Sequence, residues 1–195
     1  MKRIIAIIIS SIMLMGCDTQ TFNFVVNLVS NYEYDIKQTG DFEESQKVTK
    51  AEFDLLLIDL DLPDDAEIKK VSIESIGLAF TPDAQNEATS IISTGVYEDD
   101  SNGKFNIFEN CEAEIPATSG EVVEVSGCLN QAGVDALTDK FWGFITDTDD
   151  EDFTVYFSGT TEPGNAFVSS KISVRIKGNI VLENEVEVPF FMGKQ

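Results

Sequence analysis

From Phe22 onward, apolar side chains recur at every second position. Phe22, Phe24, Val26 and Leu28 alternate with Asn23 and Asn27, and Phe53, Leu55 and Leu57 read the same way. Phe153, Val155 and Phe157 repeat the pattern, as do Ile172, Val174 and Ile176. The last run sets Ile180, Leu182, Val186, Val188 and Phe190 against Glu183, Glu185 and Glu187 on the opposite face. A period of two is what a strand with one buried and one wet face requires. Within one run the phase slips: Val71 and Ile73 give way to Ile76, Leu78 and Phe80, which predicts a β-bulge near Ser75.

Turn chemistry separates the runs. Gly178-Asn179 and Asn102-Gly103 each fall between alternating stretches and predict two-residue hairpins. Pro63-Asp64-Asp65, Thr81-Pro82-Asp83 and Glu162-Pro163-Gly164-Asn165 supply loops. About nine or ten strands joined in this way predict an all-β fold, an antiparallel β-sandwich. One stretch departs from the period. Val134, Leu137, Phe141 and Trp142 share a helical face that Ile145 extends, and Asn130 is a suitable N-cap. The pattern predicts one short helix near 131–142, over an end or a face of the sandwich. Trp142 lies on the apolar stripe, so core packing explains it better than a sugar platform. Tyr32 and Tyr34, two apart, share a strand face, where core packing is again the default and stacking on a sugar the alternative.

The N-terminus does not belong to this pattern. Lys2 and Arg3 precede an apolar run from Ile4 to Met15, broken only by Ser10 and Ser11. About 12 helical residues rise roughly 18 Å, short of the roughly 30 Å hydrocarbon core, so the run reads as a secretory signal and not as a membrane anchor. Leu14-Met15-Gly16-Cys17 follows it: an aliphatic residue, a spacer, a small residue and a cysteine. This ending resembles the lipobox of bacterial lipoproteins. The resemblance implies that residues 1–16 are a signal peptide and that Cys17 becomes the lipidated first residue. Residues 17–21 then read as a short tether, and the alternating pattern makes 22–195 a single β-sandwich domain. The resemblance also implies export and attachment to the bacterial cell envelope through Cys17, at the outer membrane or cell surface in preference to the inner membrane. Asp18 is the one residue here that resembles an inner-membrane retention signal, of a kind used by enteric bacteria.

With Cys17 set aside, Cys111 and Cys128 remain, an even count for an exported chain. Pro116 and Ser119-Gly120 mark a turn between them, and the pair is expected to form a structural disulfide. A bridge closing a loop of roughly 15 residues stabilises by about 3 kcal/mol. The pair lacks the Cys-x-x-Cys spacing of a redox-active site.

Composition narrows the function. The 195 residues, 43% of them hydrophobic, suit one domain. Thirteen Lys and Arg face 35 Asp and Glu, a net charge of −22 that repels phosphate backbones, so no nucleic-acid partner is expected. There is no histidine, which removes Ser–His–Asp and Cys–His nucleophiles and the common zinc sites. No P-loop, dinucleotide-binding glycine pattern or nucleophile elbow occurs, and no catalytic residue is assigned. An enzyme built on this chain would work with paired carboxylates, as glycoside hydrolases do.

The closest motif to a ligand site is "EDDSNGKFNIFE", residues 98–109. Aligned to a twelve-residue calcium loop, it places Glu98, Asp100 and Asn102 at the first, third and fifth ligand positions, with Glu109 at the last. The strand-like flanks and a Glu where Asp is usual argue for a plain hairpin turn instead. The acidic run Asp147–Asp152 and the stretch Asp59–Glu67 read as solvated loops. The expectation is therefore a non-catalytic binding, adhesion or envelope-structural protein with a protein or carbohydrate ligand, and no cofactor beyond calcium at Glu98, Asp100, Asn102 and Glu109.

Overall fold

The alternating runs fold into two four-stranded antiparallel sheets, seen in a computed structural model that describes residues 17–58, 60, 62 and 66–189, with side chains from Thr21 to Glu185. The signal segment 1–16, Asp59, Asp61, the Pro63-Asp64-Asp65 turn and Phe190 lie outside the described residues. The strands are β1 (Cys17–Thr39), β2 (Phe42–Val48), β3 (Glu67–Pro82), β4 (Ser90–Asp99), β5 (Gly103–Glu114), β6 (Val122–Glu124), β7 (Phe153–Glu162) and β8 (Phe167–Pro189). One sheet has the order β1-β8-β3-β6 and the other β2-β7-β4-β5. Helix α1 spans Lys50–Ile58, α2 spans Gln131–Ile145, and a 3-10 turn covers Ser126–Cys128.

The all-β sandwich is as expected, but the described residues form eight strands where about nine or ten were predicted. Two misread segments account for much of this. Gly178-Asn179 is not a hairpin, because β8 runs straight through it, pairing Asn179 with Asn27 of β1 and with Ser72 of β3. The glycine answers a different need. The register of β3 on β8 slips between Ile73 and Ser75, as the phase change at Ser75 predicts, and the bulge presses against Gly178. A Cβ there would stand 2.7 Å from the Ser72 carbonyl oxygen, so only glycine lets the strands approach.

The second misread segment is Phe53, Leu55 and Leu57, which lie on α1 and not on a strand. The cause is a reciprocal cap: Thr49 N–H and hydroxyl donate to Glu52 Oε2 at 3.0 Å each, and Glu52 N–H donates to Thr49 Oγ1 at 3.2 Å. The helix then buries Phe53 and leaves Leu55 in solvent. Residues 17–21, expected as a tether, are backbone of β1, with Cys17 opposite Pro189 and Thr21 opposite Glu185.

The core fills the space between the sheets. Leu28, Tyr32, Tyr34 and Ile36 of β1 share one buried face, and Phe153, Val155 and Phe157 of β7 another. Helix α2 covers one end of the sandwich, packed on β5, β3 and α1. It starts where expected, with Asn130 Oδ1 accepting from Ala132 N–H at 3.1 Å and Gly133 N–H at 3.4 Å, but runs on to Ile145. Its buried side includes Val134, Leu137, Phe141 and Ile145, and also Lys140 and Phe144, while Trp142 packs on the core partly exposed. Phe53 joins the two helices, its ring 5.0 Å from Phe141 and 5.4 Å from Phe144. Among the described residues no helix is long and apolar enough to cross a membrane.

Candidate functional site

Cys111 and Cys128 are bonded to each other. Cys111 of β5 and Cys128 of the 3-10 turn form a disulfide with Cα atoms 5.6 Å apart. It ties the β2-β7-β4-β5 sheet to the chain leaving β6, which belongs to the other sheet. Cys17 opens β1 at the far end of a strand that carries Phe22, Phe24 and Val25 with 41%, 43% and 61% of their surface exposed.

The residues aligned to a calcium loop fall on the β4–β5 hairpin. That hairpin has a three-residue loop, Asp100-Ser101-Asn102, between the Asp99–Gly103 pair, where a two-residue turn was predicted. The loop is closed by Asp99, which accepts from Asn102 N–H at 2.5 Å and Asn102 Nδ2 at 3.1 Å. Glu98 is paired with Lys104 at 3.1 Å, Asp100 is exposed at the tip, and Asn102 is turned to Asp99. Glu109 lies farther along β5, beyond the Gly95–Phe108 pair, and accepts from Asn106. The structure thus groups Glu98, Asp100 and Asn102 near one turn and leaves Glu109 apart from them. Among the described residues no group of three His, Cys, Asp or Glu side chains is placed to hold a metal ion.

Behind the hairpin lies a buried polar cluster. The Lys140 ammonium, 1% exposed, stands 2.8 Å from Asp149 Oδ2 and 3.9 Å from Asp99 Oδ2, and 5.1 Å from the centre of the Phe144 ring. Asp99, its side chain fully buried, also accepts from the Tyr97 hydroxyl. Burial works to raise the Asp99 carboxyl, but the donors Tyr97 and Asn102 and the Lys140 charge outweigh it and hold it below its ordinary 3.8. Burial and the hydrogen bond to Asp99 push the Tyr97 hydroxyl far above its ordinary 10.0. Asp149 reaches the cluster because residue 143 is glycine, where a Cβ would stand 2.6 Å from that of Asp149. The acidic run is therefore pinned and not simply solvated: Asp149 holds Lys140, Asp152 holds Lys47 at 2.8 Å and Asp147 holds Lys50 at 2.9 Å. Lys140 was legible as a lone lysine three residues past Leu137 and four before Phe144, which the helical period places on the buried face.

Two concavities stand out. The larger, about 460 Å³, lies beside the hairpin and is lined by Glu98, Asp99, Asp100, Glu151 and Asp152, with Lys47 and Tyr156. Hydrogen bonds from Tyr156 and Lys104 lower the Glu98 carboxyl, and Lys47 lowers that of Asp152. Glu98, Asp99 and Asp152 are thus all held in their ionised form.

The smaller, about 230 Å³, opens where the edge strands β1 and β2 meet under α1. Tyr32, Val48 and Phe53 are its buried walls, and Gln46, Glu52 and Leu56 stand nearer the mouth. The Tyr32 hydroxyl is buried out of reach of solvent, with the Ser30 side chain beside it at no ordinary hydrogen-bond geometry. Burial pushes it up to about 12; Ser30 pulls the other way and the Glu52 charge adds to the rise. Ser30 and Glu52 also line the cavity.

No family model matches the chain, and no curated protein does. Solved structures with some likeness are virus proteins. A turnip yellow mosaic virus chain is 15% identical with a TM-score of 0.29, covering 91% of this chain and 86% of its own. A decameric BFDV capsid protein is 8% identical with a TM-score of 0.31, covering 84% of this chain and 98% of its own. A Desmodium yellow mottle tymovirus chain is 10% identical with a TM-score of 0.28, covering 92% and 93%. Likenesses this low carry no argument about function.

Proposed function

We propose that this chain is a non-catalytic binding domain, exported and lipid-anchored to the bacterial cell envelope through Cys17, at the outer membrane or cell surface. The observation that supports it is the division of the cysteines. Cys111 and Cys128 occupy each other, as in oxidising compartments. Cys17 stands apart from them, just after the apolar run and the small Gly16. The exposed Phe22, Phe24 and Val25 suit a strand end held near a lipid surface. Three carboxyls of the most acidic cleft are held ionised, which disfavours each of the three as a proton donor.

Intact mass of the chain extracted from membranes tests the reading. Loss of residues 1–16 together with added acyl mass on Cys17 is expected, and Cys17→Ser should move the protein out of the membrane fraction. A membrane-bound chain still carrying residues 1–16 would sink the proposal.

A further inference from the structure

Among the described residues five large apolar side chains stand exposed: Phe22, Phe24 and Val25 on β1, and Leu55 and Ile58 on α1. All five belong to one end of the molecule. Val48, the last residue of β2, lines one cavity with Tyr32 of β1, so the part of β1 before Ser30 runs on past the end of β2. Helix α1 begins two residues after Val48, at that same end, and α2 packs against it. Cys17 lies at the tip of the projecting stretch. That stretch is a two-stranded ribbon and not a slack tether: β8 accompanies β1 from Cys17 to Thr39, while β3 begins at Glu67 opposite Glu183. Phe22 and Phe24 share one face, their ring centroids 6.5 Å apart, and alternation makes it the face that buries Leu28 and Tyr32 further along. Helix α1 lies on that side too, since its Phe53 lines the cavity with Tyr32. Val25 projects from the other face.

Charge and reach decide what covers this face. A second copy would bring another net charge of −22, whereas an uncharged lipid surface brings none. Beside the ribbon, Lys69 holds Glu183 at 3.0 Å and Glu67 at 2.8 Å, so the nearest acidic groups carry a counter-charge. At about 3.3 Å per strand residue, Phe22 and Phe24 stand roughly 17 and 23 Å from Cys17. Standing upright on Cys17, the ribbon would hold both rings clear of a bilayer. Lying along the surface, it brings both rings and α1 against it.

We propose that this end of the sandwich is a membrane-docking face: the ribbon lies along an uncharged lipid surface with Phe22, Phe24, Leu55 and Ile58 in the headgroup layer. Docking of this kind fixes the orientation of the domain on its anchor. The inference rests on the anchor at Cys17 argued above and adds how the domain lies against the bilayer.

Fluorescence of the chain extracted from membranes and reconstituted in vesicles of brominated phosphatidylcholine tests it. Wild type, with Trp142 as its one tryptophan, gives the background. Phe24→Trp and Ile58→Trp should each lose emission to bromine beyond that background, more to bromines near the headgroup than to bromines near the chain ends. Val25→Trp, one residue away on the other face, should lose less. Ile58→Trp, at a position 72% exposed, carries the test if Phe24→Trp is poorly folded. Emission from Phe24→Trp and Ile58→Trp that ignores bromine, or is quenched no more than that of Val25→Trp, would overturn the proposal. So would a blue shift that appears in detergent and grows with protein concentration, the mark of a second copy on this face. The mass of the same sample separates the two readings. With acyl mass on Cys17, an unquenched chain overturns the docking face and leaves the anchor standing; without it, the anchor falls and this inference falls with it.

Discussion

Tyr97 and Tyr32 face the same interior and are buried to the same degree, at 0% and 2% exposure, yet their hydroxyls meet opposite fates. Tyr97 donates to Asp99, which also accepts from Asn102 and lies near Lys140, which in turn holds Asp149. Every member of that cluster has a partner. Tyr32 has only the Ser30 side chain beside it, at no ordinary hydrogen-bond geometry. Tyr34 falls between the two, donating to the Val155 carbonyl at 3.1 Å while its ring stacks on Phe157. In a low-dielectric interior a fully paired polar network rigidifies the fold, whereas a lone polar group is a cost unless something fills the gap. The difference teaches which buried polar groups hold the structure and which only bear the cost of burial.

The largest expected effect breaks the paired side of this contrast. Lys140→Met leaves the Asp99 carboxylate buried without its cation, and loss of roughly 3–5 kcal/mol is expected in urea unfolding. A loss below about 1 kcal/mol would mean that solvent reaches the cluster. Next comes the covalent tie between the sheets. The Cys111→Ser, Cys128→Ser double variant should lose about 3 kcal/mol by the same measurement, and reductant should do the same to the wild type.

The sharpest comparison is smaller. Tyr97→Phe removes a donor from a buried carboxylate and should cost about 1–3 kcal/mol, while Tyr32→Phe removes a hydroxyl with no well-formed hydrogen bond and should be neutral or slightly stabilising. Equal losses would erase the distinction between the two sites. The smallest effects lie in pH. Asp99 titrates below its ordinary 3.8 when folded, so its contribution is complete above that value and fades as pH falls below it. Tyr32, Tyr34 and Tyr97 are all raised above 10.0, so their contribution is complete below pH 10 and is lost as pH rises through their folded values. Stability against pH, followed in Lys140→Met and Tyr32→Phe, should lose a small part of its acid limb in the first, since Tyr97 and Asn102 still hold Asp99 low, and part of its alkaline limb in the second.

Much of the fold was legible because the information is local. A period of two identifies strands one residue at a time, the phase slip at Ser75 marked a real bulge, and Asn130 caps the helix it was assigned. Where reading failed, a local pattern had two physical meanings. Gly-Asn at 178–179 looks like a turn but serves a strand pressed by a neighbouring bulge. The alternation of Phe53, Leu55 and Leu57 was overridden by the Thr49–Glu52 cap, itself visible as a Thr and a Glu three apart. The calcium alignment put Glu109 in a set that strand geometry disperses, since a twelve-residue loop converges on an ion only when it curls.

By itself the chain determined its all-β sandwich class, its charge, the pairing of Cys111 with Cys128 and the expectation of an anchor at Cys17, all from neighbouring residues or simple counting. Tertiary structure alone decided which polar groups meet. Tyr97, Asp99, Lys140 and Asp149 come from β4, α2 and the loop that follows, and the edge cavity is assembled from β1, β2 and α1. Whether a buried hydroxyl finds an acceptor depends on elements far apart in the chain, and no local pattern encodes that distance.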